Sequence, residues 1–308
     1  MESHITSDFI VLDVCNENGS AKVLAEKIGC SYVKCLWRQF NDGELELLNN
    51  FNCIIENKRV LIYQSLHYPY DIFFKVLVLL RALKSYNICD ITLLSPYVGY
   101  IRPHDQIIAE SIFDVLFYFG VKKIITIHPH SVELFTKEEY KGRIFVLEPV
   151  NMFIDLIMRR IKRLGMKDLC FLSPDAGARR VNELCAGYFN APCFFATKIR
   201  GKDSLTIKID AEIECKNVFV VDDIIDTGLT LECLVSALTR KNKDVRVFLF
   251  CTHAILSRYP TVVDSDNVEE LIVTSSLPVS IKHKKIFIYE LMENNYLIKN
   301  IWQIINLV

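Results

Sequence analysis

The sequence has almost no net charge, since 36 Lys and Arg residues nearly balance 37 Asp and Glu residues and leave a formal charge of -1. No overall field therefore draws the protein to nucleic acid or to a membrane surface, and a polyanion must be recognised locally. The 11 cysteines include no CxxC pair that could indicate a zinc site or a redox couple. Most of them lie in apolar runs, which is typical of buried free thiols in a reducing compartment.

The sequence also lacks the segments that direct a chain into a membrane. Its beginning carries acidic residues such as Glu2 and Asp13, without the basic start and uninterrupted apolar run of a signal peptide. The most apolar helix candidate, residues 72–80, is interrupted by Lys75 and ended by Arg81, well short of a membrane span. We therefore expect a soluble, cytoplasmic protein with no nucleic-acid or membrane partner.

Short β-rich apolar runs alternate with amphipathic stretches along the chain, a pattern that favours βα units and a mainly parallel sheet covered by helices. The predicted strands are residues 9–12, 59–63, 90–94, 123–127, 169–172, 193–196, 218–221 and 245–250. The predicted helices are residues 21–28 with Gly29 as a stop, 70–85, 107–119, 150–164, 227–241 and a closing helix within 290–307.

So many parallel strands indicate two domains, and an internal match supports the division. The segment ITLLSPYVGYIR (91–102) matches LCFLSPDAGARR (169–180) as S-P-x-[VA]-G-x-x-R. The alternative is coincidence, because Ser-Pro-x-x-Gly is a common strand exit. We predict an N-terminal domain over residues 1–149, a C-terminal domain over 150–290 and a C-terminal helix over 291–308.

The stretch VFVVDDIIDTGLTL (218–231) runs from an apolar strand into three carboxylates and a Thr-Gly-x-Thr turn. At the carboxyl end of a parallel strand, Asp222 and Asp223 would enter the ligand crevice. The following turn and helix start offer backbone N–H groups and Thr hydroxyls to a phosphate, and the carboxylates suit a vicinal diol or a metal. Together they predict a sugar-phosphate site. The alternative is that Asp226 only caps the helix while the other two acids are solvated.

This stretch resembles the phosphoribosyl diphosphate (PRPP) motif of type I phosphoribosyltransferases and of the ribose-phosphate diphosphokinases, or PRPP synthetases. Other segments resemble the synthetases in order and spacing over nearly the whole chain: FNDGELEL (40–47), SPDAGARRV (173–181), TKIRGK (197–202) and THAILS (252–257). The resemblance implies an α/β fold of two tandem type I phosphoribosyltransferase-like domains, each a mainly parallel sheet flanked by helices. It also implies transfer of the β,γ-diphosphoryl group of ATP to the anomeric hydroxyl of ribose 5-phosphate, giving PRPP and AMP.

The resemblance implies a role for each matching residue. The implied set is Lys198 and Arg200 as catalytic residues; Asp222, Asp223, Asp226, Thr227, Gly228 and Thr230 for ribose 5-phosphate or PRPP; Phe40, Asp42, Glu44 and Arg102 for ATP; and His128 and Asp175 for Mg²⁺. In this family the first three ATP residues reach a neighbouring subunit, so a homo-oligomer, dimer or hexamer, with a composite site is expected. Without the family resemblance, we would interpret Lys198 and Arg200 as basic residues on a solvated strand end, and residues 41–43 as a hairpin turn.

Three departures from the family pattern fall in the ATP half of the site. Pro103 replaces a Gln after Arg102, the basic flexible segment that normally follows is shortened, and Thr126 replaces a carboxylate near His128. We therefore expect weak or absent feedback by ADP. Two alternatives stay open: a weak or inactive regulatory subunit that binds ribose 5-phosphate or PRPP, and a phosphoribosyltransferase that consumes PRPP.

Overall fold

A computed structural model describes residues 8–15, 18–51, 54–103, 106–200, 205–209 and 211–307, with the backbone alone at Arg200. The chain divides into two compact units, Met1–Glu148 with Glu290–Val308, and Pro149–Tyr289. The closing helix, which the sequence analysis set apart as a third segment, thus belongs to the first unit. No helix in the described part of the chain combines the length and the apolar character needed to span a bilayer.

The first unit is a six-stranded parallel sheet in the order β2-β1-β5-β6-β7-β8, with a separate hairpin β3-β4. Its strands are β1 Phe9–Asp13, β2 Ser31–Lys34, β3 Trp37–Gln39, β4 Leu45–Leu47, β5 Arg59–Tyr63, β6 Ile91–Leu94, β7 Val121–Ile127 and β8 Ile144–Leu147. Its helices are α1 Ser20–Ile28, α2 Asp71–Ser85, α3 Ile107–Tyr118 and α7 Asn295–Ile305. Strands β1, β5 and β6 are buried along almost their whole length, as a parallel sheet covered on both faces requires.

The second unit is a seven-stranded sheet in the order β11-β10-β9-β12-β13-β14-β15, in which only the β10–β11 pair is antiparallel among the described strands. Its strands are β9 Leu169–Ser173, β10 Cys193–Arg200, β11 Leu205–Ile209, β12 Asn217–Ile225, β13 Arg246–Ala254, β14 Val268–Thr274 and β15 Ile286–Tyr289. Its helices are α4 Val150–Leu164, α5 Arg179–Phe189 and α6 Leu229–Lys241. Phe219 stacks on Phe171 and Phe248 inside the sheet's helical cover, with ring centroids 5.6 and 5.0 Å apart.

Contacts near the chain end hold α7 in the first unit. Trp302 packs on Phe9 with ring centroids 5.9 Å apart, and the Arg59 guanidinium lies over the same Phe9 ring. Arg59 also donates hydrogen bonds to Asn306 Oδ1 at 3.2 Å and to the Ile305 carbonyl. The beginning of β5 therefore caps the end of a helix that lies nearly 250 positions further along the chain.

The two sheets share one strand order, since β10-β9-β12-β13-β14-β15 repeats the pattern of β2-β1-β5-β6-β7-β8. By position β9 therefore corresponds to β1, whereas the internal sequence match pairs β9 with β6. That match reflects a shared local turn: Ser95 and Ser173 each donate a side-chain hydrogen bond of 2.8 Å to the carbonyl two residues ahead. The repeated architecture is real, but the S-P-x-x-G match does not align the two domains.

Candidate functional site

Strand β12 delivers two carboxylates to the carboxyl edge of the second unit's sheet. Its residues are buried as far as Asp222, which is 8% exposed, and Asp223 is half-buried. On one side β12 pairs with β13 up to its last residue, Ile225, while on the other its pairing with β9 covers only residues 217–219. Because β12 projects beyond β9, Asp222 and Asp223 lie at the edge where open α/β sheets bind their ligands.

Burial raises the pKa of Asp222 well above the usual aspartate range, and the nearby charges of Asp223 and Asp175 raise this pKa further. The Asp223 N–H donates to Asp222 Oδ1 at 3.0 Å, and the Ile224 N–H donates to Asp223 Oδ1 at 2.7 Å. These amides orient the carboxylates but do not compensate the crowding of like charges. A ligand that brings hydroxyl donors or a cation to this edge would relieve that crowding.

The N-cap residue of α6 makes no side-chain hydrogen bond to the first turn of the helix. The N-cap residue is Gly228, in the left-handed conformation with φ 78° and ψ -4°. Asp226 does not cap the helix, so that sequence-based alternative is wrong; its Oδ1 accepts a hydrogen bond from the Ser257 N–H at 3.3 Å. The Leu229 N–H donates a long hydrogen bond of 3.4 Å to Thr227 Oγ1. The backbone N–H groups and the positive dipole end of this helix start suit a phosphate monoester.

Gly228 is also required for steric reasons, because a side chain at this position would be too close to Pro260. A Cβ added there would lie 3.1 Å from Pro260 Cβ and 3.3 Å from Pro260 Cα. The rigid proline ring cannot rotate away, so the loop between β12 and α6 is held against the segment that follows β13. The loop conformation therefore depends on a glycine for both its positive φ and its close contact.

Lys198 on β10 reaches this loop. Its Nζ donates to Thr230 Oγ1 at 3.0 Å and lies 3.8 Å from Asp175 Oδ2. The structure thus brings a residue expected to be catalytic next to one expected to bind phosphate, 32 positions apart in sequence. Arg200 ends the same strand, but its side chain lies outside the described residues.

Asp175 lies in the turn between β9 and α5. Its Oδ1 accepts hydrogen bonds from the N–H groups of Gly177 at 3.0 Å and Ala178 at 3.2 Å, which leaves Oδ2 on the side of Lys198. Within the described residues no group of three or more His, Cys, Asp or Glu side chains could hold a metal ion by itself. A carboxylate oxygen is the kind of ligand that Mg²⁺ takes, and Mg²⁺ usually binds one or two carboxylates together with waters and substrate phosphates. The donor chemistry of Asp175 therefore fits such an ion.

The residues expected to bind ATP lie in the first unit. Phe40, Asp42 and Glu44 form the turn of the β3–β4 hairpin, where the Phe40 N–H donates to the Glu44 carbonyl at 2.9 Å and the Glu44 N–H donates to Asp42 Oδ1 at 3.1 Å. The hairpin reading of this segment is confirmed. The Phe40 side chain is 45% exposed, and Arg102 is also exposed. These side chains are accessible to a ligand or to another molecule.

His128 follows β7 directly and has a left-handed backbone with φ 46°. Its N–H donates to the Leu147 carbonyl at 2.9 Å, and its side chain is half-buried. Two residues earlier, Thr126 is fully buried, and its Oγ1 has no hydrogen-bond partner among the described residues. A buried hydroxyl without a hydrogen-bond partner is uncommon in folded proteins.

Three residues near the β12 loop were absent from the sequence-based site. Asn182 on α5 bonds to β12 next to Asp222, Arg258 donates through Nε to the Thr227 carbonyl at 3.4 Å, and Pro260 packs on Gly228. Arg258 and Pro260 directly follow the THAILS segment, so extending that motif by three residues would have included both. Asn182 has no such signal, because its role depends on the fold alone.

Two mainly parallel sheets with one strand order, and an acidic strand end that leads into a helix N-terminus, define a protein built from two type I phosphoribosyltransferase-like domains. Its fold matches the crystal structure of phosphoribosylpyrophosphate synthetase from Mycobacterium smegmatis, with a TM-score of 0.79, 21% identity and coverage of 96% of this chain and 98% of that one.

Residues 10–117 match the N-terminal domain of ribose phosphate pyrophosphokinase. The ribose-phosphate pyrophosphokinase of Corynebacterium ammoniagenes is 27% identical over 94% of this chain and 91% of its own length. The Bacillus caldolyticus protein of the same name is 28% identical over 86% of this chain and 84% of its own length. Over most of its length the chain is thus similar to ribose-phosphate pyrophosphokinases, which are enzymes.

Proposed function

We propose that this protein is a ribose-phosphate diphosphokinase that makes PRPP and AMP from ribose 5-phosphate and ATP. In that reaction the anomeric hydroxyl oxygen of ribose 5-phosphate bonds to the β-phosphorus of ATP and releases its proton to solvent. The bond from that phosphorus to the oxygen shared with the α-phosphate breaks, and AMP leaves. Such a transfer depends mainly on positioning and on charge neutralisation.

The observation that carries the proposal is the approach of Lys198 to the β12–α6 loop. Its Nζ donates to Thr230 Oγ1 at 3.0 Å, so a cation lies beside the proposed 5-phosphate site. Asp222 and Asp223 would accept hydrogen bonds from the ribose hydroxyls, and Asp226, Thr227 and Gly228 would surround the 5-phosphate. A protein that only bound a sugar phosphate would not need a cation to hold transferring phosphates, so the presence of Lys198 favours catalysis.

Lys198 and Arg200 would hold the diphosphoryl group during transfer, the first as a point charge and the second as a planar fork. His128 and Asp175 would hold Mg²⁺, which supplies charge neutralisation on the phosphates when bound. Phe40, Asp42 and Glu44 would bind adenine across a subunit boundary, which makes a homo-oligomer part of the proposal. The exposure of the Phe40 ring supports that role, since an exposed aromatic ring can stack on a base.

One observation favours a second candidate, a regulatory subunit that binds ribose 5-phosphate or PRPP without catalysis. The hydroxyl of Thr126, where the family has a carboxylate, is buried and lacks a partner among the described residues. A missing acid near His128 would weaken the ordering of a cation there. This candidate keeps the ribose phosphate half of the site and loses the ATP half.

The deciding experiment follows phosphorus NMR spectra of the purified protein with Mg²⁺, ATP and ribose 5-phosphate. We expect AMP and PRPP to appear together, Lys198→Ala to abolish both, and Lys243→Ala, an exposed lysine beyond the far end of α6, to leave turnover unchanged. Binding of ribose 5-phosphate without formation of either product would favour the regulatory subunit. Failure to bind ribose 5-phosphate would contradict both candidates.

A further inference from the structure

Strand β12 loses its neighbour just before it reaches the site. Its pairing with β9 ends at Phe219, although β12 continues to Ile225. Beyond Phe219 the backbone groups that face β9 need other partners, since buried N–H and C=O groups are costly to leave unpaired. The gap falls at Val221, the residue directly before Asp222.

The side chain of Asn182 fills this gap. Its Nδ2 donates to the Val221 carbonyl at 2.7 Å, and its Oδ1 accepts from the Val221 N–H at 3.0 Å. One side-chain amide thereby provides the donor and the acceptor that two residues of a parallel neighbouring strand would otherwise provide. Asn182 is fully buried, so water does not compete for either bond.

The same amide connects β12 to the turn that carries Asp175. The second N–H of Asn182 Nδ2 donates to the Ala178 carbonyl at 2.8 Å, while the Ala178 N–H donates to Asp175 Oδ1 at 3.2 Å. Asp175 and Asp222 are close enough for the charge of Asp175 to disfavour ionisation of Asp222. Asn182 therefore ties together two backbone segments whose carboxylates repel each other.

We propose that Asn182 is a positioning residue for ribose 5-phosphate, which fixes Asp222 and Asp223 by holding the Val221 peptide in place of a strand. The inference rests on the proposed function, because ribose 5-phosphate is the ligand whose hydroxyls those carboxylates would meet. Asn182 itself does not touch that ligand in this account. Its effect reaches the site only through the direction of the β12 backbone.

The same strand offers a matched control at its other end. Asn217 is also buried, and its Nδ2 donates to the Lys167 carbonyl at 2.8 Å and to the Asp168 carbonyl at 3.3 Å. It lies four residues before Val221, roughly 13 Å away along an extended strand. Asn217→Ala removes two part-buried bonds from the same strand without touching the end that carries the carboxylates.

The test compares Asn182→Ala with Asn217→Ala in the full chain. Both should lower the denaturation midpoint, because each removes side-chain hydrogen bonds to the backbone. Titration calorimetry with ribose 5-phosphate, without ATP, should show a Kd raised about tenfold for Asn182→Ala, equal to about 1.4 kcal/mol, and unchanged for Asn217→Ala. Hydrogen exchange should quicken at residues 221–224 in Asn182→Ala while residues 217–219, still paired with β9, stay protected.

Asn182→Leu provides a second route if the alanine variant does not fold, since it keeps the volume and removes both bonds to Val221. We expect the same rise in Kd. The inference is overturned if both Asn182 variants bind ribose 5-phosphate with the wild-type Kd, or if hydrogen exchange at residues 221–224 is no faster than in the wild type. Either result leaves the proposed function intact. If the wild type does not bind ribose 5-phosphate, the proposed function fails and the inference fails with it.

Discussion

Gly228 allows the sharpest test of how the β12–α6 loop is built, because the chain contains a second glycine in the same conformation. Gly228 has φ 78° and ψ -4° at the N-cap of α6, and Gly19 has φ 79° and ψ -3° at the N-cap of α1. A Cβ at Gly228 would meet Pro260 at 3.1 Å, whereas no atom of the described residues lies within 4 Å of a Cβ at Gly19. The pair separates backbone strain from steric contact.

The expected magnitudes follow from this difference. Alanine in the left-handed conformation costs about 1–2 kcal/mol at either position. At Gly228 the Cβ is also closer to Pro260 than the roughly 3.5–4.0 Å of a relaxed carbon contact. Overpacking of this kind adds about 1–3 kcal/mol, so Gly228→Ala should lose about 2–5 kcal/mol in total.

Urea denaturation of the two variants against the wild type measures these losses, and calorimetry measures the binding of ribose 5-phosphate. Relief of the contact must move the loop or Pro260, so Gly228→Ala should also weaken ribose 5-phosphate binding by about tenfold or more, equal to at least about 1.4 kcal/mol. Gly19→Ala should bind normally. Equal losses of stability in the two variants, or normal binding by Gly228→Ala, would refute the reasoning.

Three further predictions concern single groups. Asp222→Asn should stabilise the ligand-free protein and abolish ribose 5-phosphate binding. Because the pKa of Asp222 is raised, the stability that this group contributes is present below the ordinary aspartate pKa and is lost as pH rises through the raised pKa. Urea denaturation should therefore show the variant to be more stable than the wild type at high pH and no more stable at low pH. Thr126→Val should leave the free energy of unfolding unchanged or raise it by up to about 1 kcal/mol, because the Thr126 hydroxyl has no partner among the described residues. The control Thr274→Val removes a 2.7 Å bond to the Thr252 carbonyl and should lower it by about 1 kcal/mol or more. A lower free energy of unfolding in Thr126→Val would reveal a partner. ADP should inhibit turnover only in competition with ATP, because the basic segment expected after Arg102 is short and α3 begins at Ile107. Inhibition kinetics that require a second ADP site would contradict this.

Local chemistry allowed much of the fold to be predicted from the sequence. The apolar runs at residues 9–12, 59–63 and 245–250 are buried strands, and Gly29 ends α1 in the left-handed conformation, as predicted. Helix α5 was missed because its sequence, RRVNELCAGYF, mixes charged residues with a glycine and has no capping signal. Strands β14 and β15 were missed as well, and the latter is half exposed at the edge of its sheet.

By itself the sequence determined the alternation of strands and helices and the content of the β12–α6 loop, because both depend on neighbouring residues. Only the tertiary structure decided which distant side chains meet there. Lys198 reaches Thr230 and Asn182 holds Val221 because β10, β9 and β12 lie side by side while α5 packs on β12, and these contacts join residues 32 and 39 positions apart. Such pairs follow from the order of strands in the sheet, which no local pattern in the chain specifies.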